Sequence, residues 1–153
     1  MTRKRAKVLV SVQMITYNHD RFIEQAILSV LNQKTTFEYE LIVADDHSPD
    51  NTEAIVKSII DSHPKAYRLN YHRHKRNIGM IANGRYALEK CCSKYVAICE
   101  GDDYWTDPLK LEKQVDFLET NNEFYGVAHQ TTILSNNQEA GNFKDNVPDI
   151  IEI

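Results

Sequence analysis

The sequence predicts an α/β domain, Rossmann-like, with a mainly parallel sheet and helices on both faces. Three observations lead there. Short β-branched runs alternate with segments of helical apolar spacing, in the order β-α-β-α-β-α-β-α-β. The first two runs are nearly continuous in apolar residues, which suits strands covered on both sides. Polar clusters follow three of the runs at once, as expected where ligands bind outside the carboxyl ends of parallel strands.

Val8–Ile15 is the first strand, broken by Thr16-Tyr17-Asn18-His19-Asp20. Phe22, Ile23, Ala26, Ile27, Val30 and Leu31 then recur at helical spacing, giving a helix of about 12–14 residues. Phe37–Ala44 is the second strand and ends in Asp45-Asp46-His47-Ser48-Pro49-Asp50. Asp50 or Thr52 can cap the next helix, whose inner face is read as Ala54, Ile55, Ile59 and Ile60, and which His63-Pro64 closes. Tyr67–His72 alternates as a less buried third strand. After a turn at Asn77–Met80, a third helix follows with Met80, Ile81, Tyr86, Ala87, Leu88 and Cys91 in its apolar pattern. Tyr95–Cys99 is a strand that stops at Glu100-Gly101-Asp102-Asp103. Asp107-Pro108 opens the last helix, with Leu111, Val115, Phe117 and Leu118 inward. Tyr125–Leu134 reads as a final strand, and beyond Ser135 the chain turns polar.

The 153 residues, 42% hydrophobic and 26% charged, suit one globular domain with a real core. The natural division is 1–135 for that domain and 136–153 for a polar tail. A net charge of −4, with only the short basic run Arg3-Lys4-Arg5 and an interrupted Arg73, Lys75, Arg76, argues against nucleic acid as a partner. No apolar run approaches the roughly 18 residues of a membrane span, and the charged start is unlike a signal peptide. Three cysteines, Cys91, Cys92 and Cys99, without CxxC spacing, read as small buried side chains in a reducing, cytoplasmic setting.

The chemistry sits in the three polar clusters. In a parallel sheet Thr16, Tyr17 and Asn18, then Asp45, Asp46 and Ser48, then Glu100, Asp102 and Asp103 converge on one edge. Several carboxylates there repel one another unless a cation is present. A hard divalent ion, Mg²⁺ or Mn²⁺, prefers such oxygen ligands and leaves positions open for phosphates. No G-x-x-x-x-G-K-[ST] or G-x-G-x-x-G motif offers a backbone cradle instead. Asp50 and Asp107 are read as helix caps. His72-Arg73-His74 is read as a solvated strand edge, and His129 as a packed or surface side chain. Trp105 is either a wall of an acceptor site or a buried aromatic.

Taken together, VSVQMITYNHDRFIEQAILSVLNQ, YELIVADDHSPDNT, NIGMIANGRYAL and YVAICEGDDYWTDPLKLEKQVDFLE resemble the N-terminal half of family 2 glycosyltransferases of the GT-A fold, over roughly residues 8–125. The resemblance implies a nucleotide diphosphate sugar donor, commonly UDP-linked. Thr16 and Tyr17 would line the base pocket, with Tyr17 stacking on the base and Asn18 beside them. Asp46, or Asp45, would accept the uracil N–H, and Asn77 and Gly79 would lie in the loop near the nucleotide. Asp102 matches the ribose- or metal-side acid of the D-x-D-type signature, with Asp103 and Glu100 as further candidate metal ligands. Glu100 stands where the family often has aspartate, so which acid ligates the ion is left open.

The reaction implied is metal-dependent transfer to an acceptor hydroxyl with inversion, for instance in cell-surface polysaccharide synthesis. The acceptor is unspecified: a glycan, a lipid-linked sugar or a small molecule. The family's general base lies past the last strand. Of Glu139, Asp145, Asp149 and Glu152 none is assigned, and the base is expected beyond the end of this chain. The expectation is therefore an N-terminal fragment, donor-binding and poorly active alone, whose missing parts carry the acceptor surface and any peripheral membrane association. The alternative from another class is a phosphoacceptor receiver domain, disfavoured because the Asp45-Asp46 pair follows the second strand. Nucleotidyl transfer is disfavoured because Thr16–Asp20 holds no basic phosphate-binding group.

Overall fold

The computed structural model describes residues 7–135 and 138–142. The basic run Arg3-Lys4-Arg5 and, from the polar tail, residues 136–137 and 143–153 lie outside them. The chain divides into two compact units, 1–111 and 112–153.

The first unit is built on four parallel strands, β1 (Val10–Thr16), β2 (Tyr39–Asp45), β3 (Leu69–Arg73) and β4 (Tyr95–Ile98), in the order β3-β2-β1-β4. The central pair is covered on both sides, which is why β1 and β2 read as unbroken apolar runs. The helices are α1 (Ile23–Leu31), α2 (Thr52–Ser62) and α3 (Met80–Lys90), with one 3-10 turn at Ala66–Arg68. α1 buries Ile23, Ala26, Ile27, Val30 and Leu31 on the sheet face that carries Val10, Val12 and Met14. On that face the Tyr39 hydroxyl donates to the carbonyls of Val30 and Leu31. α3 covers the opposite face, where Gln13 Nε2 donates to the Gly84 carbonyl at 2.9 Å. Buried Gln33 clamps the end of α1 to the later chain. Its amide donates to the Asp107 carbonyl and accepts from Leu111 N–H.

Several details differ from the sequence reading. α1 has 9 residues, and Phe22 stays outside it and exposed. α2 buries Thr52, Val56 and Ile59, while Ala54 and Ile60 face outward, because a helix that starts at Thr52 puts positions four and seven residues on along its inner stripe. In α3 only Asn83 and Ala87 are buried; Met80, Ile81 and Leu88 are exposed. Its phase is set by a polar pin, the Asn83 amide donating to the Ala44 carbonyl at 2.9 Å, which apolar spacing cannot reveal. β4 alternates, with Val96 and Ile98 exposed. Cys99 alone among the cysteines is buried, its thiol pushed up to about 12 chiefly by burial; Cys92 is exposed.

α4 (Lys110–Thr120) begins after Asp107, whose carboxylate accepts from Leu109 N–H at 2.8 Å. The second unit also holds an antiparallel pair, β5 (Thr132–Ser135) and β6 (Gln138–Asn142). The strand expected over Tyr125–Leu134 is thus confined to its last residues. Tyr125 is 96% exposed, and β propensity acts only where a side chain has a surface to pack on. No helix among the described residues is long and apolar enough to cross a membrane.

Candidate functional site

Parallel register brings the carboxyl ends of the strands to one edge, with Thr16 beside Asp45 and Asp45 beside Arg73. From that edge four loops emerge. They carry Tyr17–Asp20, Asp46–Asp50, His74–Gly79 and Cys99–Asp103.

Asp45 and Asp46 are adjacent and both buried, yet they do different things. Asp45 Oδ1 accepts from Ser48 N–H at 2.8 Å and from the Ser48 hydroxyl at 2.6 Å. Its Oδ2 accepts from the Tyr71 hydroxyl at 2.6 Å and lies 3.5 Å from Arg73 Nε, which also faces Glu53 at 3.1 Å. Arg73, on the edge strand β3 and with 26% of its side chain exposed, thus also serves as counter-ion to the buried Asp45. Asp46 instead holds the loop that follows β3: its two oxygens accept from Ile78 N–H at 2.7 Å and Gly79 N–H at 2.9 Å. Gly79 opens α3 with φ of 89°, a conformation that favours glycine, and the Asn77 side chain also accepts from its N–H. The Asp46 carboxylate so sits at a helix N-terminus, where the macrodipole favours negative charge.

Thr16 is buried, Tyr17 is 46% exposed, and Asn18 takes a left-handed φ of 61°. This turn is stitched to the loop after β2 by three backbone donors. Asn18 N–H reaches Ser48 Oγ at 3.0 Å, His19 N–H reaches Thr52 Oγ1 at 3.2 Å, and Asp20 N–H reaches Asp50 Oδ2 at 2.9 Å. Asp50 thus binds the neighbouring loop as well as Thr52 N–H. Partial burial pushes its carboxyl upward, but these hydrogen bonds outweigh that and hold it below its ordinary range.

Gly101 is buried, with its N–H on the Ile15 carbonyl. A Cβ there would lie 2.7 Å from Thr16 Oγ1 and 3.0 Å from His19 Nδ1. The glycine lets the acidic turn close onto the end of β1. Glu100, Asp102 and Asp103 are exposed beyond it, and Asp103 N–H donates to the Glu100 carbonyl. Asp102 Oδ2 lies 3.8 Å from His19 Nε2. Among the described residues no three His, Cys, Asp or Glu side chains gather closely enough to hold a metal by themselves. Trp105 is buried, its N–H on Ser29 Oγ and Lys110 Nζ 4.2 Å from its ring centre. The crevice of about 380 Å³ next to it, lined by Glu24, Ser29, Asn32 and Tyr104 among others, shares no residue with the acidic edge.

Sequence reasoning missed His19, Tyr71, Arg73 and Asn83. His19 lay in plain view in the T-Y-N-H-D turn, and Arg73 beside two histidines. Nothing in the spacing links Tyr71 or Arg73 to Asp45.

Burial, then the Asp45 carboxylate, holds the Tyr71 phenol well above its ordinary range. The folded state keeps this proton where an unfolded tyrosine, with a pKa of about 10, releases it. The stabilisation is whole below about pH 10 and is lost as pH rises beyond it. Tyr39, pushed up to about 12 chiefly by burial, acts with the same sign. Urea midpoints should therefore fall more steeply above about pH 10 in the parent than in Tyr71→Phe. Parallel slopes would remove Tyr71 from this account.

The family model for glycosyl transferase family 2 matches residues 11–144. An uncharacterized protein of Mycobacterium bovis is 38% identical over 125 residues, 82% of this chain and 36% of that protein. The Escherichia coli UDP-Glc:alpha-D-GlcNAc-diphosphoundecaprenol beta-1,3-glucosyltransferase WfgD is 33% identical over 135 residues, 88% of this chain and 50% of its own. Among solved structures, S. aureus TarS 1-349 in complex with UDP matches with a TM-score of 0.65 and 26% identity, over 75% of this chain and 33% of that one. The chain thus spans about a third to a half of the length of these relatives.

Proposed function

The chain belongs to glycosyl transferase family 2, and from that premise we propose that it forms the donor-binding part of an enzyme that moves a sugar from a nucleotide diphosphate sugar to an acceptor hydroxyl. The observation that carries this is the single edge where the loops bearing Tyr17, Asp46, Gly79 and Asp102 meet at the ends of parallel strands. The donor is read as UDP-linked, since the names of WfgD and of the TarS complex both contain UDP. The acceptor is read as a glycan, lipid-linked as in the name of WfgD, in cell-surface polysaccharide synthesis. The three free cysteines suit a cytoplasmic setting.

In this reading the exposed Tyr17 ring stacks on the base. Asp46 keeps the Asn77–Gly79 loop in place and has lone pairs left for an imide N–H. A hard divalent ion needs only one or two carboxylates when a diphosphate and water complete its shell. Asp102, with Asp103 or Glu100, is a fitting donor set of that kind. When bound, Mn²⁺ or Mg²⁺ supplies Lewis acidity toward the diphosphate. The acceptor oxygen bonds to the anomeric carbon from the face opposite the nucleotide, whose bond to that carbon breaks, so the configuration inverts. The electron pair leaves with the diphosphate, and the acceptor's proton passes to a base. That base is assigned to residues following the donor-binding part.

UDP should raise the melting temperature only when Mn²⁺ or Mg²⁺ is present. At 100 times the dissociation constant the gain is about 2.7 kcal/mol, or on the order of 5–10 °C for a domain this size. Asp102→Ala and Asp103→Ala should each shrink it while the unliganded melting point holds. A saturating UDP titration with no metal-dependent gain would sink the reading.

A further inference from the structure

We propose that His19 is a nitrogen ligand to the divalent cation that accompanies the nucleotide diphosphate, so that His19 and Asp102 grip one ion from the ends of β1 and β4. The proposal rests on the donor-site reading above and adds to it a residue that the acidic signature does not contain.

Distance comes first. His19 Nε2 and Asp102 Oδ2 are 3.8 Å apart, too far for a hydrogen bond. One ion with bonds of about 2.1 Å can span donors up to about 4.2 Å apart. Both side chains keep an open face, at 25% and 46% exposure, which a phosphate-bearing ligand needs.

Orientation comes second. The His19 backbone is fixed on both sides: its N–H donates to Thr52 Oγ1, and its carbonyl accepts from Phe22 and Ile23 N–H at 2.9 Å. The ring is fixed too. Nδ1 lies 3.3 Å from the hydroxyl of buried Thr16, and Gly101 closes against it. An ion on Nε2 would select the tautomer that carries its proton on Nδ1, the nitrogen facing Thr16 Oγ1, which is the arrangement usual for metal-bound histidine. Thr16 therefore acts as the positioning residue behind the ligand.

Donor chemistry comes third. An all-oxygen donor set would suit Mg²⁺ and Mn²⁺ alike. Replacing one oxygen by an imidazole nitrogen moves preference from Mg²⁺ toward Mn²⁺ or another transition ion.

The test is pulsed electron paramagnetic resonance on the full chain loaded with Mn²⁺ and UDP. A nitrogen coupling of directly bound imidazole is expected, absent in His19→Gln. That variant should bind Mn²⁺ roughly tenfold more weakly in the presence of UDP, with Mg²⁺ affinity changed much less. The parent spectrum needs no substitution, so it decides even if His19→Gln folds poorly. Mn²⁺ bound with UDP but without nitrogen coupling, or a coupling that survives in His19→Gln, overturns the proposal alone. Failure of Mn²⁺ to bind with UDP in the parent overturns the donor-site reading and this proposal with it.

Discussion

Asp45→Ala is expected to cost about 3–5 kcal/mol, a large share of the roughly 5–15 kcal/mol that holds a domain together. The carboxylate is fully buried, with donors from Ser48 and Tyr71 and the Arg73 charge around it. Truncation leaves those groups facing a void, and the lost partners cost more than the hydrogen bonds themselves contribute. Asp45→Asn keeps the shape and should cost less, because the amide oxygen can still accept from Ser48. Urea denaturation measures both. A loss under about 1 kcal/mol for the alanine variant would show the network to be incidental.

Gly101→Ala is the second large effect. The added methyl would lie 2.8 Å from Thr16 Cβ, an atom of a strand and not the tip of a flexible side chain. Neither neighbour can rotate aside: Thr16 is β-branched and buried, and His19 is tied through its backbone. Overpacking of this kind costs typically about 1–3 kcal/mol. It should also part the β1 turn from the acidic turn and weaken metal-dependent UDP binding at least about tenfold, since small displacements of positioned groups are felt strongly. Calorimetric titration checks the second claim and thermal melting the first. A variant that melts and binds like the parent would mean that the contact yields freely.

The succession of strands and helices and the meeting of the polar clusters were legible because strand runs and turn signals are local; the order of the strands within the sheet was not read. Parallel pairing then fixes which ends come together. The division of labour between Asp45 and Asp46 was not legible. Successive residues at a strand end point to opposite faces, so two identical neighbours meet different surroundings. Asp45 turns toward Ser48, Tyr71 and Arg73, Asp46 toward Ile78 and Gly79. Arg73 looked like part of a basic strand edge because its partner lies in another strand, on β2. α3 misled for the reverse reason: its apolar spacing is real, but buried Asn83 sets which side faces inward.

The stitching of the Tyr17–Asp20 turn to Ser48, Asp50 and Thr52 bears on timing as well as shape. Two segments that would otherwise fluctuate separately are fused into one stiff lip, so the entropy of ordering them is surrendered when the polypeptide folds, before any nucleotide arrives. On the proposed donor-site reading, docking along this lip would need little rearrangement, and substitutions at Ser48 or Thr52 would be expected to slow nucleotide association without removing a ligand contact.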